Sequence, residues 1–113
     1  MAGYSRAVRV DNHIAVSTTA PIGVDGVTLF PGDTYQQTRF VLERAIEAVV
    51  ALGGAVSDVT RTRLYLIREA DWRQAVAAHA ELFRDVGPAN STFYVEGFIP
   101  PGVLVELDAI LSS

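Results

Sequence analysis

The chain contains no cysteine. That absence removes disulfides, thiolate nucleophiles and cysteine-held metals together. Two histidines are too few for a histidine-rich zinc site within one copy. No stretch approaches the roughly 18 uninterrupted apolar residues of a membrane-spanning helix. The opening segment MAGYSRAVRV lacks an apolar signal-peptide core, and a cytoplasmic location is the resulting expectation. Basic residues are outnumbered, 9 against 13 acidic ones, for a net charge of −4. With no basic run, the chain is a poor partner for phosphate backbones, so no nucleic-acid partner is expected.

What remains is ordinary globular material. The 113 residues are half hydrophobic and 19% charged, which suits a single domain over residues 1–113. Residues 5–10 and 13–18 read as two short strands joined at Asp11-Asn12, residues that tolerate tight turns. Residues 20–32 carry Pro21, Gly23, Gly26, Pro31 and Gly32 and read as a loop.

Asp33 with Gln36 has the spacing of a capping box, and Thr38, Val41, Leu42, Ala45, Ile46 and Val49 recur at helical spacing after it. Gly53-Gly54 supplies the helix stop. A strand is expected over 58–66. A second capping box, Asp71 with Gln74, opens a helix whose stripe is Trp72, Val76, His79 and Phe83, with Gly87-Pro88 as its end. Two last strands, 91–96 and 103–110, flank Pro100-Pro101-Gly102. The order ββαβαββ predicts an α+β fold with two helices on one face of a mixed sheet.

Strand parity separates the two faces. Val103, Val105, Leu107, Ala109 and Leu111 form a wholly apolar set that belongs under the helices. Glu106 and Asp108 then point the other way. The opposite face is expected to enclose Glu106, Asn90 and one or both of Arg61 and Arg63 between subunits, because large exposed apolar patches are uncommon on monomers.

Several stretches together resemble the RidA/YjgF family. They are GYSRAV at 3–8, AVSTTAPI at 15–22, the Q-T-R within 32–66, the WRQAVAAHAELF helix, and P-A-N-S-T through V-E-L-D-A-I at 88–110. The resemblance implies a chorismate-mutase-like fold and a homotrimer whose sheets line a central barrel. It implies clefts between subunits that hydrolyse reactive enamines and imines, such as 2-aminoacrylate, to ketoacids and ammonia, without any cofactor or metal. By the same resemblance the family's active-site tyrosine falls on Tyr4 and its cleft-lining serine-glycine pair on Ser17-Thr18. The carboxylate-binding arginine falls on Asn90, the second carboxylate-binding residue on Thr92, and the water-positioning glutamate on Glu106.

Three departures stand out. Asn90 is not arginine, and a neutral amide does not replace a bidentate guanidinium. Thr18 adds bulk where the family has glycine. The chain starts at the tyrosine motif, which makes Tyr4 a candidate for mobility. Asn90 is therefore open to two readings, a ligand contact or a cap on the turn after Pro88. Arg63 is open to two as well, an inter-subunit salt bridge or a replacement anchor. Glu106 is a water-positioning base or an interface acid, and Asp108 is structural. Arg39 is read as a helix residue and His79 as a packed histidine. The function expected is a small-molecule hydrolase or deaminase with a non-standard substrate. The alternatives are a non-catalytic ligand-binding trimer and a pathway-specific member acting on a substrate without a free α-carboxylate.

Overall fold

The computed structural model describes residues 2–113. Strands β1 (Ala7–Val10) and β2 (His13–Thr19) form a hairpin, followed by helix α1 (Thr34–Ala51). A short 3-10 turn (Val56–Asp58) leads into β3 (Val59–Leu66), helix α2 (Trp72–Phe83), β4 (Ala89–Tyr94) and β5 (Val105–Ser112). The ββαβαββ order is the one expected. The sheet runs β1-β2-β5-β3-β4. Only β3 and β4 are parallel, joined by the α2 crossover, and the other neighbours are antiparallel.

The hairpin turns at Asp11, which takes a left-handed φ of 52°. The Asp33 carboxylate accepts the Gln36 N–H at 3.0 Å, satisfying one orphan donor of the first turn of α1. At the other end the Gly53 N–H donates to the Val50 carbonyl and the Gly54 N–H to the Val49 carbonyl. With Gly53 at φ 85°, this is a Schellman motif. A Cβ on Gly54 would stand 2.9 Å from Ile14 Cδ1, so that glycine also lets the helix end close onto β2. The second cap differs from expectation. Asp71 accepts from the Arg73 N–H, and its own N–H donates to Thr34 Oγ1, which ties the starts of the two helices together.

The apolar set of β5 lies under the helices, with Val105, Leu107 and Leu111 at most 1% exposed. Ile14, Val41, Val49 and Leu64 pack there too. The buried face of α2 is Ala75, Ala78 and Phe83. Trp72 and Val76 were expected on that stripe, but they stand half-exposed at the rim, 45% and 42% accessible. Alanine lets α2 lie close on the sheet, and the bulkier side chains then have no room beneath it. The last two strands begin and end about two residues away from their expected bounds. Val103 and Leu104 are buried before β5 begins, because the Leu104 N–H is taken by a helix side chain and not by the ladder.

That side chain is Gln37, fully buried in α1. Its Nε2 donates to the carbonyls of Leu29 (3.1 Å), Phe30 (3.3 Å) and Gly102 (3.1 Å). Its Oε1 accepts the Leu104 N–H at 2.8 Å. One amide thereby holds the end of the 20–32 loop and the turn before β5. Gln37→Leu keeps the volume and orphans these backbone groups, each at about 1–3 kcal/mol where water does not reach it. We expect a loss of about 3 kcal/mol in denaturant unfolding. A loss below about 1 kcal/mol would show that water takes over the amide's role.

Candidate functional site

Register decides which side chains share a face. Thr62, Leu64 and Leu66 of β3 are buried under the helices. Their β4 neighbours are Asn90, Thr92 and Tyr94, and laterally paired residues point the same way. Asn90 and Thr92 are therefore on the helix side. Arg61, Arg63 and Tyr65 pair with Ile110, Asp108 and Glu106 on the opposite side. The expectation that Asn90 shares a face with Glu106 and the arginines is thus corrected. Parity within a strand gives alternation, but only the register against β3 says which set faces the helices.

On the outer face Arg63 grips Asp108 with two bonds, Nε to Oδ1 and Nη2 to Oδ2, both 2.9 Å. The Tyr65 hydroxyl donates to the same carboxylate at 2.9 Å. The salt bridge foreseen between subunits lies within one chain. It engages one edge of the Arg63 guanidinium, Nε and Nη2. The Tyr65 phenol is held above its usual range by burial and by Asp108. Arg61 donates to Ser91 Oγ at 2.8 Å.

Glu106 stands beside this cluster with no hydrogen-bond or ion-pair partner among the described residues. Burial alone pushes its carboxyl above the ordinary range, since a charged group loses water there without gaining a cation.

On the helix side a polar chain crosses three elements. Thr62 Oγ1 and His79 Nε2 of α2 are 2.8 Å apart. Asn90 Nδ2 donates to Thr62 Oγ1 (3.0 Å) and to the Thr62 carbonyl (3.3 Å). Thr92 Oγ1 donates to Asn90 Oδ1 at 2.8 Å. Both ends of the Asn90 amide thus have scaffold partners, and the turn after Pro88 is not among them. Thr92, with its hydroxyl hydrogen-bonded to Asn90, lines a groove of about 310 Å³ among Leu66, Trp72, Val76, Phe93 and Tyr94.

The remaining expected residues gather at the other edge of the sheet. Tyr4, Ser17 and Thr18 line a cleft of about 430 Å³, together with Arg6, Ile22, Val24 and Arg44. The Ser17 N–H donates to the Arg6 carbonyl (2.8 Å) and Ser17 Oγ to the Ser5 carbonyl (2.6 Å). The segment carrying Tyr4 is therefore fastened to β2, while the Tyr4 ring is 79% exposed. Arg6 and Arg44 were missed by the sequence reading. Their signal is weak, because residues 6 and 44 converge only through the fold. Arg39 is a helix-surface residue paired with Glu43 and Glu81.

Within one chain, then, the expected residues occupy three places. Tyr4, Ser17 and Thr18 flank the β1–β2 edge, Glu106 is mid-sheet on the outer face, and Asn90 and Thr92 are on the β4 edge. No group of three or more metal-ligating side chains occurs among the described residues. No helix among them is long and apolar enough to cross a membrane.

A mixed five-stranded sheet with both helices on one face is the chorismate-mutase-like arrangement. The profile of the family described as Endoribonuclease L-PSP matches residues 1–112. The chain belongs to this family, also known as RidA/YjgF. It is 31% identical over 110 residues to the 3-aminoacrylate deaminase RutC of Acinetobacter baylyi, covering 97% of this chain and 86% of that one. It is 34% identical over 110 residues to a RutC family protein of Sulfurisphaera tokodaii, covering 97% and 87%. A crystal structure of a YjgF-family member from Mycobacterium tuberculosis superposes with a TM-score of 0.87 at 35% identity, covering 99% of this chain and 88% of that one.

The half-buried His79 titrates below the usual histidine range, because burial disfavours its charged form. The unfolded chain then binds a proton that the folded chain refuses. Stability is full above the unfolded pKa, near about 6.5, and falls as pH drops through the depressed folded value. His79→Gln should flatten that part of a melting-temperature profile recorded between about pH 8 and pH 5. An unchanged slope would place the acid sensitivity elsewhere.

Proposed function

We propose that the protein is a small-molecule hydrolase of the RidA type, adding water to an imine or enamine in a cleft completed between the copies of a homotrimer. The observation that carries this reading is the distribution of the site. Tyr4 and Thr18 lie at one edge of the sheet and Thr92 at the other, with an unpartnered Glu106 between them on the outer face. A single copy cannot bring these to one ligand, whereas a neighbour laid against the outer face can. That face and its edges expose Val8, Val10 and Phe93, an apolar share that favours a buried interface. The deaminase name of the RutC relative supports the same chemistry.

Glu106 suits the base. As water oxygen bonds to the carbon and the C=N π bond opens, the carboxylate takes a water proton and passes it to the nitrogen. The resulting carbinolamine then breaks its C–N bond as its hydroxyl proton passes by the same carboxylate to the nitrogen, the C=O bond forms and ammonia leaves. An enamine joins this route by protonation at its β-carbon. No electrons are exchanged with a redox partner, so the balance needs no cofactor. Tyr4, exposed on its fastened segment, closes the cleft over the ligand, and Ser17 and Thr18 form its wall.

Substrate choice follows from position 90. A charge-assisted contact is worth about 1.5–3 kcal/mol, and the Asn90 amide is already occupied by Thr62 and Thr92. Imines of ordinary amino acids, generated by an amino-acid oxidase, should turn over slowly, and Asn90→Arg should raise the rate by about tenfold or more. Wild-type rates equal to those of an arginine-bearing relative would refute this account of position 90.

Light scattering at micromolar concentration should report about three chain masses. A persistent monomer would remove the shared cleft. Glu106→Gln should lower turnover by about 10²–10⁴. Activity of the native chain should rise as pH rises through the elevated carboxyl pKa. The sign for stability is opposite. A carboxyl whose folded pKa is raised weakens the fold once pH passes its unfolded value, so Glu106→Gln should melt no lower than the native chain near neutral pH. A ligand that binds but is never turned over would favour the ligand-binding trimer instead.

A further inference from the structure

The cleft at the β1–β2 edge has an uneven charge. Among its lining residues are two arginines, Arg6 and Arg44, and no aspartate or glutamate. The ion pairs of the described residues involve Arg39 and Arg63 only, so neither cleft arginine is neutralised. Arg44 lies over the Phe40 ring, its guanidinium carbon 5.0 Å from the centroid. That stacking leaves the edge N–H groups of the guanidinium unoccupied. Arg6 is held by its backbone, because its carbonyl accepts the Ser17 N–H. In a chain of net charge −4, two uncompensated guanidiniums in one concavity form a local positive field.

We infer that Arg6 and Arg44 are the anion anchor of this protein, holding a ligand carboxylate against the Tyr4–Thr18 wall of the cleft. This rests on the reading that the cleft belongs to the hydrolase site, and it names the substrate class: an imine or enamine that carries a carboxylate. The carboxylate is held on the wall remote from position 90. It therefore stands in a different relation to the reacting carbon than in α-imino acids held by an arginine at that position. Guanidiniums suit the task, since each presents a planar fork to a carboxylate. Two of the nearby hydroxyls are already committed as donors, Ser17 Oγ to the Ser5 carbonyl and Thr19 Oγ1 to the Ser17 carbonyl.

The test is an NMR titration of the assembled protein with levulinate, a stable keto acid with its carboxylate remote from the carbonyl, and with its neutral amide, levulinamide. Arg6→Gln and Arg44→Gln remove the charges one at a time, and Arg84→Gln, on the far end of α2, controls for net charge. Levulinate should bind the native protein and bind each cleft variant about tenfold more weakly. Arg84→Gln should leave its affinity unchanged. Levulinamide should bind weakly and equally to all four proteins. Levulinate affinity that is undetectable, unchanged by both cleft substitutions, or lowered equally by Arg84→Gln would overturn the anchor. Glu106→Gln separates the two readings, since it should abolish turnover while keeping arginine-dependent levulinate binding. Arginine-dependent binding in a protein without turnover would keep the anchor and remove the hydrolase, and the reverse pattern would do the opposite.

Discussion

The Gln37 amide is the point on which the geometry of the sheet turns. It meets the Leu104 N–H on one side and the Leu29, Phe30 and Gly102 carbonyls on the other. The Leu104 carbonyl in turn accepts the Ile67 N–H, and from there the β3–β5 ladder runs in register, Leu66 against Val105 and Tyr65 against Glu106. A slip of one residue at this entry would exchange the faces of β5. Leu107 would then face outward, and Glu106 would face the helices with no cation to meet it. The position of the proposed base is thus set by a buried glutamine one helix away.

The polar groups of the domain divide into those the scaffold uses and those it does not. Arg63, Asp108 and Tyr65 satisfy one another on the outer face. Thr62, His79, Asn90 and Thr92 do so on the inner one. A half-buried pair of this kind is nearly neutral for stability while intact and costly once one member is lost. Such clusters therefore act as fixed walls. Glu106, the Tyr4 ring and the guanidiniums of Arg6 and Arg44 take part in neither cluster, and they carry the proposed chemistry.

The legibility of the sequence follows from which interactions are local. The caps at Asp33 and Gly53-Gly54 and the apolar alternation of β5 involve neighbours in the chain, and they stand where they were read. Asn90 was placed on the wrong face because β4 is an edge strand whose side chains are nearly all exposed. It has no alternation of burial to reveal its inner side, and only its pairing with Thr62 does. The stripe of Trp72, Val76 and Phe83 divides between groove and core, with Trp72 and Val76 lining the groove and Phe83 buried, because the close approach of α2 selects alanine beneath it. The V-E-L-D motif puts Glu106 and Asp108 on one face, and the resemblance singles out Glu106. The physical cause of the difference is Arg63, forty-odd residues earlier, which claims the Asp108 carboxylate and leaves the other.

The asparagine at position 90, where the resemblance to the family puts an arginine, has a consequence of its own. Once an asparagine stands there, Thr62 and Thr92 can both reach its amide, and the inner polar chain closes on itself. The Thr92 hydroxyl donates its hydrogen bond to Asn90 Oδ1, so it offers only lone pairs to the groove beside it. The rest of that groove is apolar and aromatic. At its rim Arg68 lies over the Tyr94 ring and Arg73 over the Trp72 ring, so the β4 wall is apolar on its floor and cationic outside it. In the β1–β2 cleft the two guanidiniums, Arg6 and Arg44, are themselves lining residues, with no acid among them. If copies of the proposed homotrimer bring these two walls together, the inferred anchor would have a ligand enter with its anion toward Arg6 and Arg44 and its nitrogen end toward Thr92. That orientation reverses the one an arginine at position 90 would impose.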